Sequence, residues 1–411
     1  AGHVGYCSPL EFNPSTDVLF HNEGPGENGV VRFRDVTTTA GIDSDRAKGT
    51  GFCVVPADFN QDGWPDFYVA NDMYPNRLWI NQKDGTFRDA GPETGAAFNR
   101  HGLHEASMGV AVGDVDSDGD PDLLATHITD ETNTLYINDA GQFHDVTHKW
   151  DLADPSRRHT GWGVALVDLD HDGFLDIPLV NGLVVPCKLR HDINEANPPT
   201  GVITIDQLTR TGKASIASPT PHWAKYHDRN QLYFNTGEGR FVERTELGGD
   251  FSRTTASGRS LIHGDIDNDG DVDLLVTDLN GHARLFRNDT RKIGHWLLLR
   301  VIDPRHQRDA YGAEVVIVEG EQRYYRMVNP AGSYLASHDP RVHVGLKTRH
   351  FDQIRVRWPD GPQHWETFDG GETDRRLSLT RGEGTTANRR PPASLQPTAQ
   401  PDAPPGPSGA N

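Results

Sequence analysis

Cysteine and methionine are scarce in this 411-residue chain, three of each. Cys7, Cys53 and Cys187 show none of the close spacings of a zinc or iron–sulfur site and cannot all pair. Cys53 falls in an apolar run and reads as buried and unreactive; Cys7 with Cys187 is the candidate disulfide. No stretch approaches 18 consecutive apolar residues, which excludes a membrane-spanning helix. Bases are outnumbered, 40 against 59 acids, for a net charge of −19 with no basic stripe. That argues against nucleic acid as a partner, because such binding rests on neutralising phosphates. No Ser/His/Asp order, nucleophile elbow or phosphate loop stands out. No leader opens the chain, and its first residue is Ala1 rather than Met, which reads as a mature or trimmed terminus.

What is abundant is aspartate in a fixed pattern. D-x-[DN]-x-D-G-x-x-D occurs at residues 58–66, 114–122, 168–176 and 265–273. Side-chain oxygens at alternate positions, a glycine at position six, a carbonyl at position seven and a closing carboxylate describe a shell for a hard divalent cation. The candidate calcium ligands are Asp58, Asn60, Asp62, Trp64 and Asp66; Asp114, Asp116, Asp118, Asp120 and Asp122; Asp168, Asp170, Asp172, Phe174 and Asp176; and Asp265, Asp267, Asp269, Asp271 and Asp273. An EF-hand would close with a Glu at position twelve inside a helix. Here that position holds Val69, Ala125, Leu179 and Val276, in short apolar runs that read as buried strands. Seventeen of the 59 acids lie in these loops, and four bound Ca²⁺ would bring the net charge from −19 to −11. Much of the acidity is therefore metal ligation. Loops of this kind without an EF-hand switch fit an environment rich in calcium, secreted or periplasmic, with the cytoplasm left open.

A second motif runs out of phase with the first. Leu19-Phe20-His21-Asn22, Leu78-Trp79-Ile80-Asn81, Leu135-Tyr136-Ile137-Asn138 and Leu232-Tyr233-Phe234-Asn235 each lead through a Gly-rich turn to a second aromatic strand. These are hairpins. Loop starts are 56 and 54 residues apart, then 97. About four strands per repeat, without helical periodicity, describe a β-propeller blade. Loop-to-hairpin distances of 20, 21 and 20 residues become 64 in the third repeat, which places an insertion at 183–228. The expected organisation is repeats over 1–290, a β module over 291–382 and a disordered Pro-rich tail over 383–411.

At this point the chain resembles a known family. Calcium loops after Gly-rich strands are similar to the FG-GAP/VCBS repeats of integrin-type propellers, with hairpins of the form LYxNxGxxFxDVT. The segments Tyr6-Cys7-Ser8-Pro9, Ala70-Asn71-Asp72 and Ser107-Met108-Gly109-Val110 narrow the likeness. GHWLLLRV, RDAYGAEVVI, GSYLASHDPRVHVGL and VRWPDG match the ASPIC/UnbV domain. Over residues 4–382 the chain looks like a cartilage-acidic-protein-type (CRTAC-like) protein. The resemblance implies a secreted calcium-binding protein of poorly defined function; some bacterial and fungal relatives lie in natural-product pathways. Family members usually carry Asn-Gly-His where this chain has Asn181-Gly182-Leu183, so a role for that His does not transfer. Repeat and resemblance together imply an all-β fold: a calcium-loop β-propeller of seven blades, or five or six, with a C-terminal β module. The N-terminal hairpin has no calcium loop before it, so its blade is expected to be completed by C-terminal strands.

Two functions are open. One is an extracellular interaction module whose partner is a protein, glycan or small molecule. The other is an enzyme (lyase, cyclase or hydrolase) with an axial pocket lined by His101, His104, Glu105 and the 183–228 insertion, where clustered histidines could form an acid/base or transition-metal site. His127, His222 and His227 are further members of that set. Trp64, Tyr74, Trp79 and Trp162 read as core, whereas Trp223 and Tyr226, in the insertion, could stack on a sugar or planar ligand.

Overall fold

The computed structural model describes residues 9–43, 48–184, 222–361 and 364–387. Each repeat folds as an antiparallel meander. The first blade is Gly51–Ala57, Asp66–Asn71, Arg77–Asn81 and Phe87–Asp89, paired in chain order. The second runs Val110–Gly113, Asp122–Ala125, Thr134–Asp139, Gln142–Asp145, and the third Gly161–Val164, Ile177–Asn181, Gln231–Asn235, Phe241–Glu243. The fourth has three strands, Gly258–Gly264, Asp273–Asp278 and Arg284–Phe286. Every acidic loop joins the first strand of a blade to the second. The former twelfth positions lie within second strands, so the loops are not EF-hands. In the second blade the hairpin turn is Ala140-Gly141, both at positive φ (48° and 90°), between paired Asp139 and Gln142. That is the twist a two-residue turn needs.

Apolar clusters fill the spaces between neighbouring blades. Val55, Tyr68, Leu78, Leu123 and Tyr136 join the first two; Leu124, Val164, Ile177 and Tyr233 the next; Val180, Leu232, Leu261 and Val276 the last pair. First strands are Gly-rich because they crowd. A Cβ on Gly109 would lie 2.0 Å from the Trp162 carbonyl oxygen, and one on Gly163 would lie 2.3 Å from Leu261 N.

The C-terminal module has its own core of Leu297, Leu299, Val315, Ile317, Val344 and Trp358. Its sheets are five-stranded, with His350–Arg357 at the centre beside the wholly buried Glu314–Glu319, and four-stranded, in which His295–Asp303 pairs in parallel with Arg375–Thr380. The module does not stand apart. Its segment 329–339 enters the blade array, and Ser333 touches the first strand of all four blades. Ser333 N donates to Val110 O (2.6 Å) and Ser333 O accepts from Val110 N (3.3 Å) and Cys53 Sγ (3.0 Å). Its Oγ accepts from Val164 N (3.2 Å) and Leu261 N (3.3 Å).

Two expectations are corrected. The N-terminal hairpin, Phe20–Pro25 with Val31–Asp35, is a two-stranded sheet by itself, and no described C-terminal strand joins it; those strands are used within the module and the segment 329–339. Thr385–Ala387 pairs with Trp365–Glu372, so ordered structure runs past 383; residues 388–411 lie outside the described residues. Cys7, Cys187 and their disulfide, with nearly all of the insertion and the side chains of His222 and Trp223, also lie outside them. No described helix is long and apolar enough to cross a membrane.

Candidate metal loops and the arginines that face them

All four loops fold alike. Position four is left-handed without being glycine (Gln61, Ser117, His171 and Asn268, φ 56–65°), and position six is a left-handed glycine (φ 92–100°). The glycine N–H donates to the position-one carboxylate: Gly63 to Asp58, Gly119 to Asp114, Gly173 to Asp168 and Gly270 to Asp265, at 2.7–3.1 Å. The position-nine carboxylate accepts the position-two N–H on one oxygen. On the other it accepts the N–H of the hairpin asparagine, Asn81, Asn138, Asn235 or Asn288, at 2.8–3.0 Å. Three of those asparagines also reach the preceding loop, donating the side-chain amide to Phe59, Val115 and Leu169 carbonyls at 2.9–3.0 Å. In these three hairpins the asparagine near the end of the strand is thus a clamp between loops of adjacent blades, whereas Asn81 donates to Pro65 O of its own loop. The sequence pattern showed the asparagines but not this second role.

The folded loops draw acids together. Ligand atoms of Asp114, Asp116 and Asp122 lie within 4.8 Å of one another, as do those of Asp168, Asp170 and Asp176, and of Asp265, Asp267 and Asp269. Asp114 Oδ1, Asp170 Oδ1 and Asp265 Oδ1 are buried without a hydrogen-bond partner. Burial, reinforced by neighbouring carboxylates, pushes Asp118 and Asp172 up to about 7 and holds Asp114, Asp122 and Asp176 well above the carboxylate range. Buried like charges with orphan oxygens are costly unless a cation joins them. The donor set is all oxygen, so these clusters fit a hard divalent ion.

The C-terminal module covers the same face. Tyr325, Tyr324 and Trp296 pack on Gly119, Gly173 and Gly270, where a Cβ would meet ring atoms at 3.0, 2.5 and 2.0 Å. Arg326 Nη2 donates to Gly173 O (3.0 Å), and its charge acts on Asp114 and Asp168. Arg341 reaches Asp265 O (2.6 Å) and Asn268 Oδ1 (2.8 Å), and Arg357 reaches Asp58 Oδ2 (2.8 Å). His343 Nε2 donates to Gly270 O (2.9 Å) and Gly345 N to Asp168 Oδ2 (2.9 Å).

The histidine candidates separate. His101 and His104 are exposed, His101 in the turn closed by Gly102 N on Asn99 O (2.8 Å). Glu105 is buried and turns the other way, accepting from Thr134 Oγ1 (2.8 Å) and lying 3.7 Å from His127 Nε2. His127 is buried; its Nδ1 donates to Thr132 O (2.7 Å), so Nε2 accepts from Ser107 Oγ (2.9 Å). This Ser–His pair is sealed, with Ser107 fully buried. A cavity among the described residues is lined by first strands, loops and module, including Arg326, His263, His338 and His343, and not by His101, His104 or Glu105. The exposed His101 and His104 are therefore not brought together with the buried Glu105, and most of the 183–228 insertion expected to join them lies outside the described residues. Trp79 and Trp162 are core, Trp64 is 39% exposed, and Tyr226 is fully buried rather than offered to a ligand. Cys53 is partly buried, and burial lifts its thiol to about 11.

Repeated acidic loops on blade meanders, clasped by a C-terminal β module, define a protein that joins FG-GAP-like repeats to an ASPIC and UnbV domain. Residues 58–125, 114–177 and 222–276 match the FG-GAP-like repeat, and residues 303–386 match ASPIC and UnbV. The chain is homologous to cartilage acidic protein 1. It is 25% identical to the protein of Homo sapiens over 403 residues, covering 95% of this chain and 52% of the relative. It is likewise 25% identical to that of Xenopus tropicalis over 388 residues, 92% of this chain and 51% of the relative. The chain thus spans about half the length of the curated relatives it matches.

Proposed function

We propose that this is a calcium-stabilised β-propeller that works outside the cell as an interaction module for a protein or glycan, and that calcium is held in its four repeated loops. The observation that carries the reading is the set of convergent carboxylates with buried, unpartnered oxygens at Asp114, Asp170 and Asp265. Calcium takes six to eight oxygens in flexible geometry, whereas magnesium demands a near-ideal octahedron and keeps its waters. Asp114, Asp116, Asp118 and Asp122, with the Asp120 carbonyl, supply such a set in the second loop, and the equivalent positions do so in the others. The ion supplies charge compensation, and the chain's own groups orient it. Gly119 and its counterparts fix the first carboxylate, and Asn138 and its counterparts fix the last.

Such loops recur in every blade and are bolted to the core, which favours a structural role for the ions and leaves the surface for partners. The N-terminal hairpin carries exposed apolar side chains on that surface, with Phe20 57%, Val31 49% and Phe33 62% exposed. Exposed apolar residues beside an open strand edge mark interaction sites. The enzyme reading is not favoured, since His101 and His104 stand in solvent away from the buried Glu105. Thermal melting in calcium and in excess chelator is the test. A melting temperature lowered by many degrees in chelator and restored by calcium, but not by magnesium at equal concentration, is expected; equal melting in all three would overturn the reading.

A further inference from the structure

The four loops share one backbone but not one charge environment. The first contains three acids, against five, four and five in the others, with Asn60 at position three and Trp64 at position seven. Every carboxylate oxygen of this loop already has a partner in the protein. Asp58 Oδ1 accepts from Asp62 N (2.9 Å), and Asp58 Oδ2 from Gly63 N (2.7 Å) and Arg357 Nη2 (2.8 Å). Asp62 Oδ1 accepts from Trp64 N (3.0 Å), and Oδ2 from Asn60 Nδ2 (3.0 Å) with Lys83 Nζ at 3.2 Å. Asp66 is held by Phe59 N and Asn81 N at 3.1 and 2.8 Å. The other three loops each keep one buried carboxylate oxygen with no partner.

Arg357 is not a wandering surface charge. It is 5% exposed, its strand is registered against Glu314, and its guanidinium is held between Asp58 and the Glu314 carboxylate. A guanidinium fixed in this way offsets part of the first carboxylate's charge without a metal, and it opposes a cation placed beside that carboxylate.

We propose that the first loop is a distinct, weak cation site in which Arg357 of the C-terminal module already occupies the first carboxylate, so that the other three loops fill first. The inference rests on the calcium reading above and ranks the sites within it. Since ligand charge count sets affinity in oxygen-donor loops, the first site is expected to bind at least about tenfold more weakly than the others. At low calcium it is empty, and Asp58 serves as a docking contact for the module.

Trp64 supplies a local reporter, because an indole at position seven sensitises terbium bound in its own loop. The full chain, stripped with chelator, would be titrated with Tb³⁺ in the wild-type and Trp64→Phe forms, and with Ca²⁺ by calorimetry. Expected are three tight equivalents, with Trp64-dependent emission only after they are filled. Asn60→Asp adds a carboxylate at position three and should tighten the weak site at least about tenfold; Arg357→Met should do the same where it folds. Four equivalent calcium sites, with Trp64-dependent emission from the first equivalent, would overturn the inference and leave the calcium loops standing. So would an Asn60→Asp variant with unchanged affinities. Fewer than three equivalents of either ion would instead overturn the calcium reading itself.

Discussion

Removal of calcium is expected to reverse the pH dependence of stability, and the loops give the sign. In the metal-free protein Asp66, Asp118 and Asp172 are raised to about 7, Asp58 and Asp168 to about 6, all primarily by burial. Unfolded carboxyls titrate near 3.8. Between the two values the folded state binds more protons than the unfolded chain, so metal-free stability rises as pH falls from about 7 toward about 4. Above about 7 the full penalty applies. At about 1.4 kcal/mol per pH unit, Asp66, fully buried, contributes on the order of 4 kcal/mol against folding. Bound calcium acts in the opposite sense, because it requires the ionised form and is displaced as these groups take protons. The stabilisation gained from calcium should therefore widen with pH. Buried histidines act against the raised carboxyls below about 6.5, with His171 and His263 lowered to about 4, His338 to about 2 and His343 well below its usual value. The raised carboxyls, which include Asp114, Asp122 and Asp176, outnumber them and set the net sign. The assay is urea unfolding at about pH 5 and about pH 7.5, each with excess calcium and with a chelator effective at both values. A chelated protein more stable at about pH 7.5 than at about pH 5, or a calcium increment independent of pH, would refute the reasoning.

Other expectations follow from single contacts. Asn138→Ala removes the buried amide that joins Phe59 O and Pro121 O, and should cost about 1–3 kcal/mol in urea unfolding with calcium present. Ser333→Ala strips the acceptor shared by Val164 N and Leu261 N and should cost a similar amount, about 1–3 kcal/mol, with repeats and module still unfolding in one transition. Gly270→Ala combines a φ of 100° with a Cβ placed 2.0 Å from Trp296 Cε2, so a loss above about 3 kcal/mol is expected by the same assay. Phe20→Ser with Phe33→Ser should leave the melting temperature within about a degree of wild type, because both rings are already in solvent.

The loops were legible because each is a local code: nine consecutive residues whose types alone specify the turn and the convergence of its carboxylates. Hairpins and second strands were legible for the same reason, as with Leu135-Tyr136-Ile137-Asn138 paired to Phe143-His144-Asp145. Hidden were the relations between repeats. Asn138 reads as a turn residue, yet its amide binds Phe59, 79 residues away, and adjacency in sequence says nothing of that partner. Adjacency misled at Glu105, grouped with His101 and His104 by proximity, when its buried neighbours Thr134 and His127 come from the following strands. Ser333 was visible only as part of a family signature. That it anchors four blades depends on a module entering the array from outside the repeat. Arg326, Arg341 and Arg357 look like ordinary strand and turn cations, and only the assembled interface shows each facing an acidic loop.

The central claim is that the repeated acidic loops hold calcium. Elemental analysis by mass spectrometry of the purified, extensively dialysed full chain tests it most directly. About three calcium per chain should be retained at low free calcium, a fourth as calcium is raised, and no stoichiometric transition metal. Calcium below one per chain, or stoichiometric zinc, copper, iron or manganese in its place, would contradict it.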